Sequence, residues 1–408
     1  MKKMLTAAML MPTCVSRFAC IAGDCEDTCC AGWGVTLDLE TFQRYQACPD
    51  PVLKPLFDRH VKRYAHSRSS QDRGHIELQD DACRSCSLLS PERLCRVQER
   101  LGERALSDTC NHYPRTFHRL AGYHQASFTL SCPEAARLAL LAEDAFDFVE
   151  AEQTVSHDFV ALPRNRAGLA PEALDEVRLL LLQVLRSPDL PLGQRLKVIG
   201  GFCERLTALR GPRASRDLVE LLRSFEVDLG SGRAVAAAGG AGELLDVQAQ
   251  IATSIYLQGR EAFQSPHVRS VLAEVDRGLG IQQGQPPEAH RLVAAYEAGR
   301  QRLDRALAPV PWLLEHALVN DFLREVFPWG QDTPVRHFAL VVIRYALLRL
   351  MLAGRAAARE DGLTPAELAE TVQVASRRYG HDTAFNRKSE QSLADADWVS
   401  LERLLALV

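Results

Sequence analysis

The stretch CIAGDCEDTCCAGW, residues 20–33, carries four cysteines: Cys20, Cys25, Cys29 and Cys30. Eleven of the twelve cysteines lie within the first 132 residues, and the rest of the sequence holds only Cys203. In a protein of a reducing compartment, clustered thiols are typical of metal or redox chemistry rather than of structural disulfides. The stretch therefore predicts one metal or iron–sulfur site in an N-terminal module.

Composition excludes several classes of partner. The 408 residues suffice for two or three domains, and a net charge of -4 lacks the basic surface that nucleic acids require. The apolar run at the N-terminus is short, is interrupted by Pro12 and has no small-residue cleavage site, so it is not interpreted as a secretory signal. The apolar run 339–354 contains Arg344 and Arg349, which disfavours a membrane span. We expect a cytoplasmic protein without nucleic-acid or membrane partners.

Hydrophobic periodicity changes along the chain. Residues 1–133 combine short helical patterns with an alternating stretch around Gly122 that predicts a hairpin. From residue 134 the pattern is helical almost throughout, with 228–243 as a flexible low-complexity loop. The sequence predicts a mainly α protein, in which a cysteine-rich irregular α+β module (1–133) lies on an all-helical body (134–408).

Local signals place individual helix starts. Ser90, Pro91 and Glu92 predict the start of a short helix, and Ser131 is expected to cap a helix with Pro133 in its first turn. The sequence contains no G-x-G-x-x-G after a strand and no P-loop, so the familiar nucleotide-binding folds are unsupported.

The thiols form two groups along the chain. The first ends in the adjacent Cys29 and Cys30, whose side chains diverge and seldom bind one ion together. The second begins at Cys83 and continues to Cys132. Thiolates suit zinc or iron–sulfur clusters, and because the spacing matches no zinc ribbon, the residues alone leave the metal open. The predicted ligands are Cys20, Cys25, Cys29, Cys30, Cys86, Cys95, Cys110 and Cys132.

The remaining cysteines have other interpretations. Cys14, Cys48 and Cys203 lie in ordinary segments and are expected to be buried as small hydrophobic side chains. Cys83 is left open. A bound metal would itself be compatible with two roles, a catalytic one and a purely structural one that stabilises a loop-rich module.

Several blocks resemble the flagellin lysine-N-methylase (FliB) family, within a wider group of cysteine-rich domains that chelate zinc or iron. The specific blocks are CEDTCCAGW (25–33), CSLLSPERLC (86–95), LSDTCNHYPR (106–115) and LSCPEA (130–135). Weaker matches are EHALVNDFLREVFPWG (315–330) and SRRYGHDTAF (376–385). Ser87 and Leu88 stand where the family commonly has Pro-Phe, which we interpret as a packing change.

The resemblance implies methylation of the ε-amino groups of surface lysines in flagellin. It also implies S-adenosylmethionine as methyl donor and an iron–sulfur cluster of the [4Fe–4S] type. Without the resemblance, the residues indicate only a cysteine-ligated metal module on a helical body. The alternative is therefore a non-catalytic protein that chelates zinc or iron and docks a partner. Electron transfer is less favoured, since the helical body has no second cluster motif.

Five polar residues beside the thiols are candidate catalytic residues. Asp24, Glu26 and Asp27 either recognise the substrate ammonium and support the metal site, or act as turn and cap residues. Tyr113 and Arg115 either contact the methyl donor or belong to a turn at Pro114.

Other polar and aromatic residues are expected to have supporting roles. His112, His118 and His124 are expected around the metal site or on the surface rather than as ligands, and Trp33 is expected in the core. In the C-terminal blocks, Asn320 and His381 either line a groove for a protein substrate or pack between helices.

Overall fold

The apolar run at the N-terminus forms strand β1 (Met4–Pro12) inside a five-stranded sheet. The other strands are β5 (Arg115–Arg119), β6 (His124–Phe128), β7 (Phe148–Ser156) and β8 (Val160–Ala161), and the order in the sheet is β7-β1-β6-β5-β8. β1 pairs antiparallel with β7 (Phe148–Ser156) and parallel with β6 (His124–Phe128). The predicted hairpin is confirmed, because β5 (Arg115–Arg119) pairs antiparallel with β6. Its turn contains Gly122 at a φ of 79°, a left-handed conformation that glycine adopts without strain.

The structure, a computed structural model, describes most of the chain. The described residues are 4–66, 70–156, 160–164, 168–209, 211–239, 244–260, 265–282, 284–285, 287–380, 383–395, 398 and 400–408. His381 lies outside them, so its predicted place in a groove is not addressed. Within the described residues the fold is mainly α, with small sheets in the N-terminal part and a helical C-terminal body, as predicted.

Strand β7 differs from the expectation of helix beyond residue 134. Its stretch FVEAEQTVS alternates in exposure, and this two-residue period is typical of a strand with one covered face. Pairing with β1 along nine residues satisfies the backbone groups on the side of β7 that faces β1. The two-residue strand β8 (Val160–Ala161) pairs with β5 at the other edge of the sheet.

A second sheet lies within the cysteine-rich region. It has the order β2-β4-β3, formed by Val35–Leu37 (β2), Val61–Arg63 (β3) and Gly74–Ile76 (β4). Two amphipathic helices pack beside it, α2 (Leu39–Gln46) and α3 (Leu53–His60). Their apolar faces and the sheet form a small core, in which the rings of Tyr45 and Phe57 stack at 4.3 Å.

One predicted helix start and one predicted cap were wrong, while Pro133 lies in the first turn of its helix as expected. The helix expected at Ser90 is α4 (Arg96–Leu101), because the amide of Ser90 donates to the carbonyl of Leu94 in a turn that delays the helix. The helix expected after a Ser131 cap is α6 (Pro133–Leu140), but its N-cap residue is Cys132. The hydroxyl of Ser131 instead bonds to Tyr113 and Thr129. The other short helices are α1 (Thr13–Ser16) and α5 (Asp108–His112).

The helical body accounts for most of the described chain after β8. Its helices are α7 (Pro171–Leu185), α8 (Leu192–Ala208), α9 (Ala214–Gly230), α10 (Arg233–Ala238), α11 (Leu245–Arg260), α12 (Pro266–Leu279), α13 (Ala289–Leu307), α14 (Leu313–Arg324), α15 (Pro334–Ala357), α16 (Pro365–Ala375), α17 (Thr383–Asp395) and α18 (Leu401–Leu405). A π-helical turn, Ser376–Gly380, continues α16. The loop expected at 228–243 is largely helical where described, since α9 and the alanine-rich α10 extend into it.

Helix α15 is the central helix of this body, packed by α8, α11, α12 and α13. Glycines allow the closest approaches: a Cβ on Gly299 of α13 would lie 2.2 Å from the carbonyl oxygen of Ala353. By length and composition α15 could cross a membrane, but 83% of its apolar window is buried inside the protein. This burial is what a core helix requires.

Two hydrophobic cores organise the molecule. The larger core runs without interruption from the five-stranded sheet into the helices and includes Cys14 and Cys203. The smaller core lies within residues 35–105 and includes Cys48. All three cysteines are buried, as expected of small hydrophobic side chains. The division of the chain at residue 133 stays a prediction.

Candidate functional site

Backbone hydrogen bonds join the two cysteine groups. Residues 25–31, called the cysteine loop below, contain no helix or strand of their own. The carbonyl of Cys30 accepts from the amide of Cys86 at 2.7 Å, and Ala31 forms an isolated bridge with Ser85. The guanidinium of Arg93 donates to the carbonyl of Cys25 at 2.8 Å. Segments about sixty residues apart are thus fixed side by side.

Four thiols pack around the small core, with Cys86 buried in it and Cys30, Cys95 and Cys110 against it. Burial raises the pKa of Cys110 to about 12 and that of Cys86 to about 11, and neighbouring thiols add to both shifts. Cys29 is the common neighbour, since it contributes to the raised pKa of Cys86, Cys95 and Cys110.

Cys29 also connects to the other predicted ligands. Its pKa is raised well above the usual range by a hydrogen bond with Cys30 and by burial. Burial raises the pKa of Cys25 to about 11 and that of Cys132 to about 12, with Cys29 again contributing. Seven of the eight predicted ligands therefore share one region: Cys25, Cys29, Cys30, Cys86, Cys95, Cys110 and Cys132.

The other two cysteines of this region are more peripheral. Cys20 is exposed, and its sulfur accepts a weak hydrogen bond from the amide of Ala22 at 3.4 Å. Cys83 is half-buried in a turn whose amides donate to the carboxylate of Asp81. Within the described part of the chain, no three Cys, His, Asp or Glu side chains are arranged to hold a metal ion. The thiols fit a thiolate-bound group in kind and number.

The carboxylate of Asp27 connects the cysteine loop to the helical body. Asp27 is only 2% exposed, and its Oδ1 accepts from the hydroxyl of Ser265 at 2.8 Å. Its Oδ2 accepts from Gln373 Nε2 at 3.0 Å and from Arg377 Nε at 3.1 Å. Ser265 also caps α12 by accepting from the amide of Val268. Three elements of the body thus converge on one buried carboxylate.

The guanidinium of Arg377 also binds the backbone of the loop. One terminal nitrogen donates to the carbonyls of Thr28 at 2.9 Å and Ala31 at 3.1 Å. The other donates to the carbonyl of Asp27 at 3.4 Å. The sequence analysis did not identify Arg377 or Gln373 as site residues, although Arg377 lies within the SRRYGHDTAF block. No local sequence signal indicates a hydrogen-bond partner that lies 350 positions away.

The other two acidic candidates lie on the surface. Asp24 is exposed, and Glu26 forms an ion pair with Arg137 on α6, each side chain being about one third exposed. Trp33 was expected in the core, and this prediction was wrong, since the residue is 37% exposed. Its Nε1 donates to the carbonyl of Cys29, and its ring lies 5.7 Å from that of Tyr113. An aromatic surface therefore borders Cys29.

Tyr113 and Arg115 are both partly buried. The hydroxyl of Tyr113 bonds to that of Ser131 at 3.0 Å. Burial raises the pKa of Tyr113 well above its usual range, and Cys132 and Cys29 add to this. The guanidinium of Arg115 lies 4.9 Å above the ring of Phe18 and donates to its carbonyl. Tyr113 thus borders the thiols, whereas the contacts of Arg115 are with Phe18.

Within the residues that the structure describes, the three candidate histidines form no metal-holding group with the thiols. His112 is buried and its Nε2 accepts from the amide of Ser156. His118 is buried in β5, and its pKa is lowered to about 4 by burial and by the nearby Arg178 and Arg324. His124, at the start of β6, is half-buried. Asn320 is 1% exposed and donates to the carbonyl of Phe128, which fits packing rather than a groove.

The weaker block at 315–330 forms a buried ion cluster. Burial alone would raise the pKa of Glu325, but Arg324 and Arg344 hold it well below its usual range. His337 lies 3.2 Å from the same carboxylate. The cluster joins α14 to α15 inside the helical body, so this block supports the fold, whereas the block at 376–385 reaches the cysteine loop.

Fold and site together define a cysteine-rich module held against a large helical body. Residues 178–407, more than half of the chain, match the family model of the FliB lysine N-methylase C-terminal domain. The chain belongs to the FliB lysine N-methylase family, as its motifs indicate, and it is an enzyme of that class.

Individual relatives agree with this membership. The chain is 25% identical to a lysine-N-methylase of Salmonella typhimurium (strain LT2) over 362 residues, and this match covers 84% of each chain. A lysine-N-methylase of Salmonella choleraesuis (strain SC-B67) matches equally. The flagellar biosynthetic protein FliU of Salmonella muenchen is 34% identical over 149 residues, 36% of this chain and 86% of that protein. No solved structure matches significantly.

Proposed function

We propose that this protein methylates the ε-amino groups of surface lysines of flagellin in the cytoplasm, with S-adenosylmethionine as methyl donor. The observation that carries the proposal is the match of residues 178–407 to the FliB lysine N-methylase family. Relatives named lysine-N-methylase support the reaction, and one named a flagellar biosynthetic protein supports a flagellar substrate.

We further propose that the predicted cysteines hold a [4Fe–4S] cluster. Thiolates are the usual ligands of such clusters. The clustering of six thiols around Cys29 supports this proposal, as does the packing of four of them on one small core. Burial raises the pKa of Cys86, Cys110 and Cys132, so binding them as thiolates would release protons. When bound, the cluster would supply an iron able to coordinate the amino and carboxylate groups of the donor.

The reaction sets clear demands on the chain. A bond forms between the lysine nitrogen and the methyl carbon while the bond from that carbon to the sulfonium sulfur breaks. The nitrogen attacks only when neutral, and the pKa of a free lysine is about 10.4. The site must therefore desolvate the ammonium or accept its proton, and must hold nitrogen, carbon and sulfur in line.

Side chains around the cysteine loop can meet these demands. Trp33 and Tyr113 present an aromatic surface beside Cys29, suited to the alkyl chain and ammonium of a lysine. Asp24, directly before the cysteine loop, and Glu26, within it, are exposed carboxylates and are our candidates to accept the proton. Asp27 is occupied by its three donors and takes a supporting role instead.

Mass spectrometry of flagellin tests the proposed reaction. Purified protein is incubated with flagellin and isotope-labelled S-adenosylmethionine under reducing, oxygen-free conditions. We expect labelled methyl groups on lysine side chains, and none when donor or enzyme is omitted. Flagellin that stays unmodified in the complete mixture would remove the enzymatic proposal.

The bound group distinguishes this proposal from a non-catalytic metal-chelating protein. A brown protein with about four irons and four sulfides per chain after anaerobic purification is expected for the cluster. A colourless protein with about one or two zinc ions would favour the chelating alternative.

A further inference from the structure

We propose that Arg377 is a positioning residue of the cysteine site, holding the loop that carries Cys29 and Cys30 in place from the helical body. Together with Gln373, it completes a site that the N-terminal residues do not fix alone. The inference rests on the proposed function only in taking the cysteine loop as the functional site.

The contacts of Arg377 bracket the adjacent thiols. Thr28 directly precedes Cys29 and Ala31 directly follows Cys30, and one terminal nitrogen of the guanidinium donates to the carbonyls of both. The Nε atom binds the carboxylate of Asp27 at the same time. A planar guanidinium with five donors can hold these acceptors together, whereas a lysine ammonium presents its donors from a single point.

Gln373 extends this hold to a third segment. Its Nε2 donates to the carboxylate of Asp27 at 3.0 Å and to the carbonyl of Ser131 at 2.9 Å. Ser131 directly precedes Cys132, another predicted ligand. Gln373 and Arg377 are four residues apart, so they project from one side of α16 and its π-helical turn. One face of the body therefore sets the relative positions of Cys29, Cys30 and Cys132.

The loop depends on such external support. It has no helix or strand of its own, so its carbonyls find few partners within it. The N-terminal module donates to three other carbonyls of the loop: Arg93 to that of Cys25, Trp33 to that of Cys29, and the amide of Cys86 to that of Cys30. The carbonyls of Asp27, Thr28 and Ala31 are the ones that Arg377 takes. Without the guanidinium, the carbonyls of Asp27, Thr28 and Ala31 lose the hydrogen bonds that Arg377 donates to them. The central part of the loop then becomes free to open.

The test measures thiol alkylation at each cysteine of the full-length, metal-free chain, by peptide mass mapping. The variants are Arg377→Ala and Arg377→Lys. The control is Arg336→Ala, which removes a guanidinium that binds Glu390 elsewhere on the body. Cys14 and Cys203, both 0% exposed, report on global unfolding within the same sample.

In Arg377→Ala we expect Cys25, Cys29 and Cys30 to react at least about tenfold faster, the consequence of losing charged hydrogen bonds. Cys14 and Cys203 are expected to stay unreacted over the same interval, because the folded state remains dominant after the loss of one buried ion pair. Arg377→Lys retains the charge opposite Asp27 but cannot bond to both carbonyls. The loop cysteines of this variant should therefore be alkylated at rates between those of wild type and Arg377→Ala. Arg336→Ala should react like wild type.

Two results would overturn the inference. Unchanged alkylation of the loop in Arg377→Ala would mean that the loop holds itself. A parallel rise at Cys14 and Cys203 in both Arg377 variants would mean that Arg377 stabilises the whole fold rather than the loop. Neither metal, donor nor flagellin enters the assay, so its outcome is independent of whether the proposed methylation is observed.

Discussion

At the scale of single residues, Asp27 and Arg377 form a buried ion pair whose side chains are 1% and 15% exposed. Breaking a buried pair leaves the remaining charge uncompensated. We therefore expect Asp27→Ala to lower the free energy of unfolding by about 3–5 kcal/mol. Urea titration followed by circular dichroism measures this, with the exposed Asp24→Ala as control. A variant as stable as wild type would show that the pair contributes nothing.

His118 predicts a pH dependence of stability. Its pKa falls from 6.5 to about 4 on folding, because of burial and the charges of Arg178 and Arg324. The unfolded chain therefore binds a proton below about pH 6.5 that the folded chain binds only near pH 4. His118 thus lowers stability progressively as the pH falls through this window, by up to about 3 kcal/mol.

The variant His118→Leu should lose this contribution. Unfolding free energies are measured at about pH 7 and about pH 4.5 for wild type, His118→Leu and the exposed control His290→Gln. We expect a smaller difference between the two pH values in His118→Leu only. An unchanged difference would contradict a neutral, buried His118.

Much of the candidate site was readable at this scale, because thiol density and motif blocks are properties of the sequence. The burial of Cys14, Cys48 and Cys203 follows from their ordinary apolar surroundings. The exposure of Trp33 did not follow, since an aromatic residue beside glycines is compatible with either a core or a surface position. Its surface position arises from the bond to Cys29 and the ring of Tyr113, both set by tertiary structure.

At the scale of elements, glycines on the helices set how closely α13 can approach α15. A Cβ on Gly299 would meet the backbone of Ala353 at 2.2 Å, whereas one on Gly201, within α8, meets nothing within 4 Å. Gly299→Ala should therefore destabilise the protein by about 1–3 kcal/mol through overpacking. Gly201→Ala should instead stabilise it by up to about 1 kcal/mol, since alanine favours helix.

Thermal or urea unfolding of both glycine variants measures these opposite changes. Equal effects of the two substitutions would contradict the close packing of α13 on α15. The comparison is matched, because both glycines lie in the interior of long helices and differ mainly in what surrounds them.

Elements with a clear period were the most predictable. The helices of the body follow from broad apolar stripes, and the hairpin around Gly122 from alternation. Strand β7 was missed because its short alternating stretch lies among strongly helical patterns. The start of α4 was misplaced because a turn between Ser90 and Leu94 comes before it, and turns of this kind leave a weak local signal.

At the scale of the whole molecule, the cysteine loop and the end of the chain form one structure. Gln373 and Arg377 donate to Asp27, Thr28 and Ala31, although they lie 346–350 positions further along the chain. A single sequence shows two motif blocks but not that one binds the other, since such pairing depends on how all the intervening helices pack. This arrangement gives the helical body a direct role in the proposed site.

The most direct test of the account is methylation of flagellin by variants of single cysteines, measured as labelled methyl groups per flagellin chain by mass spectrometry. Cys29→Ser removes the thiol at the centre of the site, and Cys203→Ala removes a thiol buried in α8, within the larger core. We predict methylation by wild type and by Cys203→Ala, and none by Cys29→Ser. Methylation by Cys29→Ser at the wild-type rate would contradict a catalytic role for the cysteine site.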